Sequence, residues 1–180
     1  MTDLQPKLIR TSTLAKFKSE GRKFSCLTSY DYLTAGVFDE AGIEVILVGD
    51  SAADNALGYD TTLPITVEEI IPFGRAVAKA VERALVVVDM PFGSYETGPE
   101  DALKNALLIM KQTGASSVKL EGGQRSSKQI AALTEAGIPV MGHIGFTPQS
   151  IHSLGGAKVQ GRGADAEKLI AEALAVQEAG

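Results

Sequence analysis

Five short apolar, β-branched runs, separated by amphipathic segments of helical period, predict an α/β fold with a parallel sheet. The runs are FSCLT (24–28), VILVGD (45–50), LVVVDM (85–90), SVKLEG (117–122) and VMGHIG (140–145). Their near-continuous hydrophobicity suits strands covered on both faces, not strands that alternate between core and water. The phrase Glu-Ala-Gly recurs at 40–42, 135–137 and 178–180, and its first two copies lead through an Ile into the next strand. The third copy caps a helix predicted over about 164–179, where a sixth strand is expected to follow. Five strands suit a complete doubly wound, flavodoxin-like sheet, or five of the eight units of a (β/α)8 TIM barrel, which runs to about 250 residues. The helix without a following strand favours a barrel truncated after about five βα units.

Residues 1–11 carry little periodicity and are expected to form an N-terminal tail, mobile or capping the domain, with 12–180 as one barrel domain. Thr66 with Glu69, and Thr97 with Glu100, have the spacing of capping boxes, and Pro99 falls early in the second of these helices. Gly21, Gly42, Gly114 and Gly137 stand where left-handed helix C-caps are expected. The segment 51–66 is long for a βα connection, which predicts a lid or an interface element. GGAKVQGRG (155–163) is glycine-rich, but it lacks both the P-loop ending and the G-x-G-x-x-G spacing. Its Lys158 and Arg162 are candidates for contact with an anionic substrate or a neighbouring subunit.

Composition narrows the function classes. With 44% hydrophobic and 22% charged residues, the chain has the make-up of a globular domain. A net charge of −5 argues against nucleic acid as a partner. No apolar run approaches the roughly 20 residues of a membrane span, and MTDLQPKLIRTST lacks the apolar stretch of a secretory signal. The single cysteine, Cys26, leaves no intramolecular disulfide and is expected to be a buried core residue. A reducing cytoplasm is the expected compartment.

In both candidate folds, ligands bind at the carboxyl ends of the strands. The second run ends in Asp50-Ser51, the third carries Asp89, the fourth Lys119 and Glu121, and the fifth His143. Each Asp alone also suits a turn or a helix cap. Three carboxylates at one end of a sheet would raise one another's pKa unless a cation sat among them. Oxygen donors without a Cys or His cluster point to a hard ion, magnesium before calcium. Lys119 and Glu121, two apart on a strand, should share a face, as a site or as a structural ion pair. Ser51 suits a loop cap or a donor to a substrate oxygen. His143 suits a core imidazole or a catalyst, with Gly142 and Gly145 leaving room beside it.

The strings TSYDYLTA (28–35), VGDS (48–51), GYDTTLP (58–64), DMPF (89–92), VKLEGG (118–123), PVMGHIGFTPQS (139–150) and GGAKVQGRG closely resemble the ketopantoate hydroxymethyltransferase family, from about residue 12 onward. The resemblance implies a (β/α)8 barrel. It also implies hydroxymethyl transfer from 5,10-methylenetetrahydrofolate to 3-methyl-2-oxobutanoate, giving 2-dehydropantoate in pantothenate biosynthesis. By matching motif, Asp50 and Asp89 would bind Mg2+, with Glu121 contributing through water. Ser51 and Lys119 would join the two aspartates on the oxo acid, and His143 would lie near the substrate as the catalytic candidate. The family works as a homo-oligomer, a decamer. Its proposed general base, a glutamate after the sixth strand, has no counterpart before Gly180, so weak metal binding and little transferase activity are expected of the chain. Two other readings are a phosphoenolpyruvate mutase or isocitrate lyase-like C–C bond enzyme, and an inactive module that associates through open sheet edges.

Overall fold

The structure, a computed structural model, describes residues 8–180. Five parallel strands, β1 (Cys26–Thr28), β2 (Val45–Val48), β3 (Leu85–Asp89), β4 (Ser117–Glu121) and β5 (Val140–His143), lie side by side in chain order. A doubly wound sheet reverses its order at a switch point. Here the order never reverses, which is how consecutive barrel units follow one another. Successive pairs are in register, Val45 beside Leu85, Val88 beside Val118 and Glu121 beside His143.

The helices are α1 (Thr11–Ser19), α2 (Tyr32–Glu40), α3 (Ala52–Asn55), α4 (Val67–Ala80), α5 (Pro99–Thr113), α6 (Ser127–Glu135), α7 (Ile151–Leu154) and α8 (Asp165–Glu178). α4 opens on the expected capping box, in which Thr66 Oγ1 accepts from Glu69 N–H and Glu69 accepts from Thr66 N–H. It buries Val67, Ile70, Ile71, Gly74 and Val77 as one stripe. At Gly74 a Cβ would come within 2.7 Å of Thr113 on α5, so glycine sets how closely these helices approach. Thr97 and Glu100 form no such box: the N-cap of α5 is Gly98, Pro99 is its first residue, and Thr97 Oγ1 bonds the Asp101 carboxylate instead. The four expected cap glycines all have positive φ.

β2, β3 and β4 form the core, where Ile46, Val48, Val86, Val88, Val118 and Leu120 are buried with the inner faces of α4, α5 and α6. β1 lies at the edge and is exposed along its length, so Cys26 is exposed, contrary to its expected place in the core. An edge strand has a neighbour on one side only, and its apolar composition cannot report that. Residues 1–7 of the expected tail lie outside the described residues. Ahead of α1, Ile9 is buried with Phe17, Val45, Leu85 and Val87, and its N–H donates to Arg83 O at 2.8 Å.

Asp39, near the end of α2, accepts from the N–H groups of Glu82, Arg83 and Ala84 at 2.8, 3.1 and 2.7 Å and so fixes the entry to β3. Asp39→Ala is expected to cost roughly 2–3 kcal/mol in urea denaturation, because these donors lose a charged acceptor. A loss below roughly half a kcal/mol would mean that water replaces the carboxylate.

Candidate active site

Parallel register gathers the polar strand ends. Asp89 closes β3 directly beside Lys119 on β4, and Glu121 closes β4 beside His143 on β5. Asp50 follows β2 by two residues, and its N–H donates to Asp89 Oδ2 at 3.2 Å. Lys119 Nζ donates to the same Oδ2 at 2.6 Å. The four charged side chains are almost wholly buried, Asp50 at 4%, Asp89 at 1%, Lys119 at 7% and Glu121 at 1% exposure. Lys119 therefore pairs with Asp89, not with Glu121, although the two-residue spacing puts Lys119 and Glu121 on one face.

Glu121 is held differently. Its Oε2 accepts from Gln149 N–H at 3.0 Å. Its Oε1 lies 3.2 Å from His143 Nδ1 without hydrogen-bond alignment, so both atoms are buried and unpartnered. Asp89 Oδ1 is likewise buried without a partner. A buried acceptor left open costs free energy unless something meets it.

The electrostatics follow from this crowding. Burial, then the neighbouring Asp89 charge, pushes the Asp50 carboxyl up to about 7, against a hydrogen bond from Gln149 and the Lys119 charge. Burial also pushes Asp89 up, opposed by the Lys119 ammonium and the Asp50 N–H. Burial is the main reason that the Tyr95 hydroxyl is harder to ionise than usual.

These donors suit a hard divalent cation. Magnesium commonly takes one or two protein carboxylates and completes its shell with water or substrate oxygens. Asp50 and Asp89 adjoin, and Asp89 Oδ1 is an open oxygen in a dry setting. Among the described residues no three His, Cys, Asp or Glu side chains converge into a closed cage.

Ser51 Oγ lies 2.7 Å from Tyr30 OH at the start of the 51–66 segment. That segment is anchored at both ends, with Ala52, Ala53, Thr62 and Ile65 buried and Asp54–Gly58 exposed. Gly142 does not leave ligand space beside His143, because Val176 of α8 occupies it; Gly145 does face open space. Lys158 and Arg162 are exposed, whereas Arg125 and Lys168 line a cavity of about 350 Å3 beside the Gln160–Gly161 stretch. Tyr95 and Gln149 also belong to this cluster; both are uncharged and lie in loops beyond the strand ends, so no strand-terminal charge marks them.

A family model described as ketopantoate hydroxymethyltransferase matches residues 8–180. A 3-methyl-2-oxobutanoate hydroxymethyltransferase of Leifsonia xyli subsp. xyli is 63% identical over 97% of the chain, and one of Mycobacterium leprae is 61% identical over 98%. The chain spans 63% and 62% of the length of these two relatives. Among solved structures, phosphonopyruvate hydrolase in complex with oxalate and Mg++ superposes with a TM-score of 0.68 at 16% identity, over 93% of this chain and 59% of that one. A 2,3-dimethylmalate lyase, described as a PEP mutase/isocitrate lyase superfamily member, superposes at 0.64 and 16% identity, over 97% of this chain and 62% of that one. At such low identity these likenesses speak for the fold, and the sequence relatives decide the family. The chain belongs to the ketopantoate hydroxymethyltransferase family.

Proposed function

We propose that the site binds 3-methyl-2-oxobutanoate with a magnesium ion and serves hydroxymethyl transfer from 5,10-methylenetetrahydrofolate, giving 2-dehydropantoate. The observation that carries this reading is the buried Asp50–Asp89–Lys119 cluster at adjoining strand ends, in which Asp89 keeps one oxygen open. Asp50 and Asp89 would hold the cation, with Glu121 acting through water. Magnesium, when bound, supplies positive charge for the keto oxygen of the oxo acid as its neighbouring C–H bond weakens. Lys119 holds Asp89 in place and adds a second positive group for the substrate carboxylate. Ser51 offers a hydroxyl to an oxo acid oxygen, and His143 offers an imidazole at the β5 end. Pantothenate synthesis in the cytoplasm and a homo-oligomeric working form belong to the same reading, supported by family membership.

Calorimetric titration with 3-methyl-2-oxobutanoate tests it. Binding is expected with magnesium and not with a chelator, and 3-methylbutanoate, which lacks the keto oxygen, is expected not to bind. Equal binding of both acids, or binding that ignores the metal, would overturn the reading.

The raised Asp50 pKa has a measurable sign. The folded value, about 7, exceeds the ordinary 3.8, so the folded chain holds this proton more tightly than the unfolded chain. The contribution of this proton to stability is therefore fully present below the unfolded value and is lost as pH rises through about 7. Asp50→Asn should flatten that slope, and saturating magnesium should offset the loss in the wild-type chain. Denaturant midpoints measured across this range check both; identical slopes in wild type and Asp50→Asn would count against a strained Asp50.

A further inference from the structure

One residue bonds to groups at the ends of β2, β3 and β4. Gln149 lies in the turn that leads into α7, 99 positions along the chain from Asp50. Its amide nitrogen donates to Asp50 Oδ2 at 2.8 Å and to the Met90 carbonyl at 3.0 Å. Its amide oxygen accepts from Tyr95 OH. Its backbone N–H donates to Glu121 Oε2 at 3.0 Å, and Tyr95 OH in turn accepts from Glu121 N–H at 3.1 Å. Gln149 and Tyr95 are both buried.

This network fixes the direction of the amide. Turned over, its oxygen would face a carboxylate and a carbonyl, and its nitrogen would face the tyrosine hydroxyl. The Met90 carbonyl and the Asp50 carboxylate both need a donor, and only the observed orientation supplies one to each.

The consequence concerns the carboxylates. Asp89 has Oδ2 tied by Lys119 and the Asp50 N–H, with Oδ1 open. Glu121 has Oε2 tied by Gln149, with Oε1 open. Asp50 has Oδ2 tied by Gln149, which leaves Oδ1 as its remaining acceptor. Each carboxylate thus spends one oxygen on the protein and keeps one. A carboxylate held in this way meets a cation without first losing rotational freedom, and partners behind the ligands are worth about 10–100-fold in metal affinity.

We propose that the Gln149 side chain is a positioning residue for the carboxylate cluster: it locks Asp50 through Oδ2, is itself aimed by Tyr95, and raises the affinity of the site for a divalent cation. This rests on the metal-dependent reading above.

The test is calorimetric titration with magnesium of the wild-type chain, Gln149→Met, Tyr95→Phe and Asp39→Ala, each checked for folding by circular dichroism. Methionine keeps the length of glutamine but neither donates nor accepts as an amide does. Gln149→Met is expected to weaken magnesium binding about tenfold, and Tyr95→Phe roughly threefold. Asp39→Ala loses stability far from the site and is expected to keep the wild-type affinity. That control separates positioning from a general loss of structure. Should Gln149→Met not fold, Tyr95→Phe decides, since it removes only one hydroxyl. Wild-type affinity in whichever of these two variants fold overturns the proposal, as does an equal loss in Asp39→Ala. No binding by the wild-type chain overturns the metal reading itself and the proposal with it, an outcome distinct from binding that ignores Gln149.

Discussion

Lys119→Met is expected to destabilise the fold by about 3–5 kcal/mol at neutral pH, the usual cost of leaving one partner of a buried ion pair alone. Lys119 Nζ sits 2.6 Å from Asp89 Oδ2, and both side chains are almost wholly buried. Removing the ammonium leaves a carboxylate whose charge only the Asp50 N–H still meets. The group can escape by taking up a proton, so the loss should shrink in acid as Asp89 becomes neutral. Adding Asp89→Asn to Lys119→Met removes the stranded charge, and the double variant should be more stable than Lys119→Met alone. Urea denaturation of the three chains measures this. A single variant as stable as wild type at neutral pH would show that the pair is not an ion pair in solution.

Asp89→Asn is expected to weaken magnesium-dependent binding of the oxo acid on the order of 100-fold, about 2.7 kcal/mol. Asparagine keeps the shape and an oxygen, but it removes the charge that would meet the cation. It also strands the Lys119 ammonium, which then competes electrostatically with a bound metal. Ser51→Ala serves as the contrast: the Ser51 hydroxyl is shared with Tyr30, so its loss should be much smaller. Titration of both variants with 3-methyl-2-oxobutanoate at saturating magnesium compares them. Similar losses would place the binding energy in hydrogen bonding and not in charge.

The strands were legible because parallel, buried strands must be apolar throughout, and all five lie within the runs read from the sequence. The capping box at Thr66 and the four cap glycines were legible for local reasons, since their signals span three or four residues. Thr97 had the same spacing and failed, because Gly98 and Pro99 begin α5 one residue later. Polar strand ends identified Asp50, Asp89, Lys119, Glu121 and His143 as neighbours at one end of the sheet. Their pairing was not legible. Whether Lys119 meets Asp89 or Glu121 depends on the register between β3 and β4, which crossover packing sets and local composition does not. Gln149 was least visible of all, since its contacts with Asp50 and Met90 exist only after distant loops fold over the same strand ends.

The most direct test of a cation shared between the Asp50–Asp89 pair and an oxo acid is reciprocal coupling. Mn2+, an oxygen-seeking stand-in for Mg2+, is titrated into the chain by electron paramagnetic resonance, with and without saturating 3-methyl-2-oxobutanoate. The acid should tighten Mn2+ binding, and Mn2+ should tighten acid binding by the same factor, as linkage requires. Asp50→Asn and Asp89→Asn should both remove the coupling. Mn2+ affinity that is unchanged by the acid, or coupling that survives in either variant, would contradict a shared cation at this site.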